Sequence, residues 1–333
     1  MPSSLPDTRD TQTLADLEEL VRSTYLLWDR DWVGFSWRSY TFDHVQRVRG
    51  LSRTLAAAEG GDPTIADYAA LLHDITKSYD GEVIMKDGKR VLDENGLWRN
   101  EVLIPERSNR VTEIYTELGL AGTLHNLSGA KVAAVLLRER GFADGTIDRV
   151  AHAIRQHLRP DATASIEAKA LYDADTIDSN IGLPAFYRNI QISLHRLEHS
   201  LSATGDSIER LLGPGLREYL DSYLREKVPS WIHGKHNDFV SRLTTDTGRQ
   251  LAVARIERLS SLMADAAEEL SDFDRNIRCG RLSVIHRFMT NRNDPTLADE
   301  LRVMSDGWRE AVGLSAEARV FVDLTRRESE GEL

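Results

Sequence analysis

Apolar positions recur along this chain at helical spacing far more often than at strand spacing. Leu14, Leu17, Leu20 and Val21 open a first helix that runs to about Trp28. Val45, Val48, Leu51 and Leu55 mark a second, which ends near the Gly60-Gly61 pair. Thr41 reads as the N-cap of that helix, with Asp43 placed where a carboxylate meets the positive end of the helix dipole. Thr64 reads as the cap of a third helix, from Ile65 to about Ser78. Helical segments resume at about Asn109–Leu118, Leu124–Arg140, Thr146–His157 and Ile166–Ser179. Beyond Asn180-Ile181-Gly182-Leu183-Pro184 the pattern stays helical almost to the end. Its longest amphipathic stretch is Gly248–Leu270, with Leu251, Ile256, Leu259 and Met263 on one stripe.

One interval breaks the pattern. Glu82-Val83-Ile84-Met85, then Lys86-Asp87-Gly88-Lys89, then Arg90-Val91-Leu92 predicts a β-hairpin turning on Asp-Gly, within an excursion of about residues 80–105. A lid and a solvent-exposed excursion without a role are both open for it. The expected architecture is all-α, a helical bundle with an inserted β-hairpin and a helical C-terminal extension. Residues 1–29 are expected to form a tail and helix, 30–190 the domain that carries chemistry, and 191–333 a helical region packed on it.

The candidate chemistry sits in Leu71-Leu72-His73-Asp74-Ile75-Thr76-Lys77, a His-Asp pair at the end of an apolar run with a lysine one turn later. His44 lies upstream, and His125, His157 and Asp175 downstream. Imidazoles and carboxylates are borderline-hard ligands suited to Mn, Fe, Zn, Co or Ni. A ligand must share its helix's buried face, and periodicity tests this. His44 is in register with Val48, Leu51 and Leu55; His73 follows Ile65 and Ala69; His125 precedes Gly129 and Val132. His157 extends Ile147, Val150 and Ile154, and Asp175 follows Ala168 and Leu171. His152 is rotated off the stripe and is read as a supporting or surface residue. The i, i+4 pair His195 and His199 lacks the glutamate of a zinc-protease helix and reads as a polar face, while His233, His236 and His286 stand outside the pattern. A lone inward histidine is ordinarily a satisfied core residue. Four of them with two carboxylates call for a cation, because burying a carboxylate without a compensating charge costs several kcal/mol.

Charge and cysteine usage narrow the partners. The net charge of −11 disfavours nucleic-acid polymers while leaving room for a locally basic pocket that takes a small phosphate compound. A lone cysteine, Cys279, forms no intrachain disulfide and no thiolate metal site, as expected in a reducing cytoplasm. The N-terminal stretch lacks a signal pattern, and no apolar run approaches the ~18 residues of a membrane span. A cytoplasmic protein without a membrane partner is expected, and a homo-oligomer is compatible with the chain.

The order His44, His73-Asp74, Asp175 resembles the HD-domain superfamily of metal-dependent phosphohydrolases. His125-Asn126-Leu127-Ser128-Gly129-Ala130 resembles that family's H-x-x-x-G-A helix start, and Ala153-Ile154-Arg155-Gln156-His157 its A-I-x-x-H segment. Tyr172-Asp173-Ala174-Asp175-Thr176-Ile177-Asp178 is similar to its D-A-D-x-[LI]-D run. The likeness covers about residues 40–190. It implies one or two divalent ions, with His44, His73, Asp74 and Asp175 on the first, and His125 and His157 completing a second bridged by Asp74. It also implies that Lys77 contacts a phosphate oxygen and that Arg47 is structural. The acidic pair of the stringent-response branch, the Gly-Tyr-Pro signature of the cyclic-di-GMP branch and the histidine that deoxynucleotide triphosphohydrolases place at the position of Lys77 are all absent.

The expected activity is hydrolysis of a phosphate ester or anhydride of a small molecule, a nucleotide, by metal-activated water. Asp74 and Lys77 are the catalytic candidates, the latter as a point charge near the phosphoryl oxygens. Arg110, Lys131 and Arg155 are further candidates for phosphate contact, and Asp178 and His152 for orienting ligands. Two alternatives stay open. A mixed-valence di-iron oxygenase could use the same ligands and would be told apart by iron content and oxygen uptake. A non-catalytic, metal-stabilised regulatory or interaction module would work through the C-terminal half, with Gly248–Leu270 as its surface.

Overall fold

The computed structural model describes residues 8–28, 32–33, 36–92, 99–278, 320, 323–324 and 326–328. Cys279 and His286 lie outside them. The chain divides into two compact units, Met1–Tyr172 and Asp173–Leu333. The fold is all-α with short strands.

The first unit contains α1 (Thr8–Tyr25), α2 (Arg38–Ala58), α3 (Pro63–Leu72), α4 (Arg110–Glu117), α5 (His125–Glu139), α6 (Asp144–Gln156) and the start of α7 (Ile166–Asn180). A two-residue strand pair, β1 (Trp32–Val33) and β2 (Ser36–Trp37), hands the chain directly into α2. That helix therefore starts at Arg38, and Thr41 lies inside it rather than capping it. Asp62, not Thr64, caps α3: its carboxylate accepts from the backbone amides of Thr64 and Ile65, and Pro63 occupies the first turn, where a missing N–H costs nothing. Every residue of α3 from Ile65 to Leu72 is buried, so this short helix is the centre of the unit. Around it lie Val45, Leu51 and Leu55 of α2, Val132 and Leu136 of α5, and Ile147, Val150 and Ile154 of α6, all buried. Asp67 is the one charge on α3, and Arg49 of α2 meets its two oxygens at 2.7 and 3.2 Å.

The third helix stops at Leu72, six residues before the expected end. His73–Thr76 form a turn and Lys77–Tyr79 a single 3-10 turn, which delivers the chain to β3 (Asp80–Val83). The Asp-Gly hairpin is present between β4 (Met85–Lys86) and β5 (Lys89–Arg90), with Asp87 and Gly88 at φ 52° and 71°. Two consecutive positive φ values match a turn whose twist suits an antiparallel pair. The hairpin is mounted on a second antiparallel pair, β3 with β6 (Asn100–Val102), whose register shifts between Asp80 and Val83.

The second unit begins within α7 and continues through α8 (Leu183–Ala203), α9 (Ile208–Leu212), α10 (Leu216–Ser222), α11 (Val228–Phe239), α12 (Asp246–Glu269) and α13 (Phe273–Arg278). Leu183, Phe186, Ile190, Leu220, Leu259, Met263 and Leu270 share its core. Ile256 is buried as well and Leu251 half-buried, so the long amphipathic stripe is used by the unit's own interior. Asp173 anchors the start of α12. It accepts from the backbone amides of Thr244 and Thr245, both at 2.8 Å, and from their hydroxyls at 3.0 and 2.6 Å. Gly248 is required beside it, because a Cβ there would lie 2.5 Å from an Asp173 oxygen. Among the described residues no helix is long and apolar enough to cross a membrane.

Candidate metal centre

The apolar run of α3 carries His73 and Asp74 into the interior, where both are fully buried. His73 is the C-cap residue of α3 and Asp74 follows in the turn, so the pair sits on irregular backbone that aims both side chains inward. His44 comes from the middle of α2, His125 is the first residue of α5, and His157 is the C-cap of α6. Gly129 lets α5 approach the turn: a Cβ there would stand 3.2 Å from the His73 carbonyl oxygen. Thr76 locks the two segments together, donating to the His125 carbonyl at 3.2 Å and pairing with the Ser128 hydroxyl at 2.8 Å.

Asp74 is the hub. Its Oδ2 lies 3.7 Å from His44 Nε2 and 3.4 Å from His73 Nε2, while Oδ1 lies 3.5 Å from His125 Nε2 and 3.7 Å from His157 Nε2. One carboxylate thus presents each oxygen to a different pair of imidazoles, as a group bridging two cations would. The ring centroids of His44 and His73 are 5.5 Å apart, of His73 and His157 5.1 Å, and of His125 and His157 5.3 Å. Lys77 Nζ reaches Asp74 Oδ2 at 2.5 Å. Burial opposes charge on Asp74, yet the His73 imidazole and the Lys77 ammonium beside it hold its carboxyl well below the usual range.

The far sides of the rings are held too. His73 Nδ1 meets the Ala70 carbonyl at 2.7 Å and His157 Nδ1 the Ile154 carbonyl at 2.7 Å, each one turn back on its own helix. A carbonyl accepts only, so both rings donate from Nδ1 and turn Nε2 toward Asp74. His125 Nδ1 meets Asp80 Oδ2 at 2.6 Å. This arrangement fits a metal: Asp74 Oδ1 and His125 Nε2 are buried with no hydrogen-bond partner among the described residues. The Asp74, His125 and His157 ligand atoms lie within 4.8 Å of one another. Acceptors turned toward acceptors are stable only around a cation.

Residues 41–180 match the family model described as HD domain. That stretch, 41–180, is an HD domain. An HD domain supports a metal-dependent hydrolase, with bond type and substrate unassigned. No curated protein matches the chain. Three solved structures resemble it weakly. One, from an uncultured Thermotogales bacterium, is named a predicted HD superfamily hydrolase; it is 20% identical, with 77% of this chain and 92% of that one covered, at a TM-score of 0.41. Bacillus subtilis YpgQ is 19% identical over 80% and 98% of the two chains, with a TM-score of 0.38. The same YpgQ in complex with ADP is 21% identical over 79% and 96%, with a TM-score of 0.36. Likenesses of this strength carry no argument about activity.

The other sequence candidates differ in their surroundings. Arg110 is engaged by Glu139 at 2.6 Å, Glu113 at 3.0 Å and Glu117 at 3.2 Å, which takes up its guanidinium on the outer face of α4 and α5. Lys131 and Arg155 are exposed. His152 is half-buried, and its charge acts on Asp161 rather than on the centre. Asp175, half-buried on α7, accepts from the Ser179 hydroxyl at 3.3 Å, and Asp178 is fully buried. His233 and His236 are exposed on α11. Asp80 was missed by the sequence reading. It opens the β excursion, and its pairing with His125, 45 residues away, leaves no local signal.

Proposed function

We propose that this protein is a metal-dependent phosphohydrolase that cleaves a phosphate ester or anhydride of a small molecule, a nucleotide being the class to try first. One observation carries the reading: the two oxygens of Asp74 face two separate pairs of imidazole nitrogens. In this reading His44, His73, Asp74 and Asp175 hold one cation, and Asp74, His125 and His157 hold a second. Asp175 follows the buried Ala168 and Leu171 on the same continuous helix, at the spacing that keeps them on one face. Two divalent cations bound there would supply a water acidic enough to act near neutral pH and Lewis acidity toward phosphoryl oxygens.

The chain's own groups prepare that chemistry. Asp74 stays ionised, so it bridges without first losing a proton. The Ala70 and Ile154 carbonyls and the Asp80 carboxylate orient three of the four rings. Lys77, 30% exposed, is the partly open cation of the centre and can turn from Asp74 to an incoming phosphoryl oxygen. Burial of the ligands keeps bulk water away from the rest of the site.

The test is phosphate release by metal-replete protein from nucleotides, dinucleotides and sugar phosphates, with Asp74→Ala as the control. Release lost in the variant supports the reading. Release that survives Asp74→Ala removes the site assignment, and silence with metal-dependent oxygen uptake transfers the centre to a di-iron oxygenase.

A further inference from the structure

A cavity of about 280 Å³ opens beside the centre, lined among others by Tyr79, Asp80, Arg99, Asn100, Tyr115 and Thr123. We propose that it receives the uncleaved end of the substrate, a phosphorylated sugar, with Arg99 binding the phosphate. The proposal rests on the phosphohydrolase reading for its role in turnover, but the binding site stands on its own geometry.

Asp80 joins the cavity to the centre, because the carboxylate that lines it also holds His125 Nδ1. A molecule seated there would therefore lie one side chain away from a proposed metal ligand. Asn100 shares the cavity wall, with its Oδ1 buried away from the open space. Arg99 is the cation of the cavity, and no described carboxylate forms an ion pair with it. Its backbone is fixed, with its amide donating to the Val91 carbonyl and its carbonyl accepting from Ile84, both at 2.8 Å. The guanidinium is thus carried on anchored main chain with its planar donor fork available, a geometry that matches phosphate.

Size decides the ligand class. The volume falls just below the ~300–1,000 Å³ typical of pockets that enclose a drug-sized ligand, which suits a sugar phosphate better than a complete nucleotide. Two lining carboxylates bear on an anion. Asp80 is turned to His125, and Glu101 is exposed at the edge. Arg110, the other guanidinium near these elements, is already taken by three glutamates.

The experiment is isothermal titration calorimetry on the full-length, metal-stripped protein, with ribose 5-phosphate, inorganic phosphate and ribose as probes. Stripping the metal removes the cations of the centre, and Lys77→Met controls for the ammonium that remains there. Ribose 5-phosphate should bind wild type, about tenfold or more weaker to Arg99→Met, the loss expected for a charge-assisted hydrogen bond, and with intermediate affinity to Arg99→Lys, which keeps the charge and loses the fork. Ribose alone should bind wild type more weakly than ribose 5-phosphate. Arg110→Met should change neither. The proposal is overturned if wild type shows no ribose 5-phosphate binding, if Arg99→Met binds as tightly as wild type, or if Arg110→Met loses as much. The phosphohydrolase reading would fail separately, in the phosphate-release assay on metal-replete protein.

Discussion

Replacing Asp80 by Asn should weaken the second cation and spare the first. The His125 Nδ1 to Asp80 Oδ2 contact is 2.6 Å long and links an imidazole to a carboxylate, so it belongs to the stronger class of hydrogen bond. Such bonds contribute about 1.5–3 kcal/mol, against roughly 0.5–1.5 for neutral pairs. Asn keeps the shape and an acceptor but removes the charge, a difference of about 1–1.5 kcal/mol. At 1.4 kcal/mol per decade this is roughly a five- to twelvefold loss of affinity at the His125 and His157 site. Asp80→Ala also removes the acceptor and should reach the upper part of the ten- to hundredfold range known for partners of metal-binding histidines. Among the described residues Asp80 pairs with His125 and with neither His44 nor His73, whose affinity for the first cation should hold. The assay is titration of stripped protein with Mn²⁺ or Zn²⁺ in competition with a chromophoric chelator, resolved into two equivalents. If Asp80→Ala takes up both equivalents as wild type does, the orienting role of Asp80 is refuted. If both equivalents weaken together, Asp80 acts on the fold rather than on His125.

His157→Ala should reduce phosphate release far more than His152→Ala, because His157 Nε2 faces Asp74 at 3.7 Å while His152 is in neither ligand group among the described residues; the reverse order would show that helix phase misplaces the ligands. Gly129→Val should cost about 2 kcal/mol or more through overpacking against the His73 carbonyl, read as a lower melting temperature together with weaker metal binding. In the second unit, burial and then the nearby Arg188 charge depress the Lys235 ammonium to about 8 from 10.5. Below pH 8 it is charged in both states and carries its full penalty. Between about 8 and 10.5 only the folded chain has released the proton, so stability rises with pH, by about 1 kcal/mol after allowance for partial exposure. Urea unfolding at pH 7.5 and 9.5 measures it, and Lys235→Met should flatten the difference.

The parts of this protein that were legible in the sequence are those governed by one helix or one turn at a time. A period of 3.6 residues placed His44, His73, His125 and His157 on inward faces, and the structure brings all four to Asp74. Asp87-Gly88 announced its own hairpin, since the positive φ values it needs are a property of those residues. Helix ends were less legible. The cap of α3 moved to Asp62 because Pro63 claims the first turn, and α3 ended at Leu72, with His73 as its C-cap, where the chain turns into the site. What only tertiary structure decided is the set of polar pairings made across the chain: Asp80 with His125, Arg49 with Asp67, Asp173 with Thr244 and Thr245. It also decided that Arg110 goes to three glutamates while Arg99 lines the cavity. Periodicity reports which face of a helix is dry, a local property of the chain. Which carboxylate meets which imidazole depends on how separate elements pack, and a carboxylate bears no mark of its partner in its neighbours along the sequence.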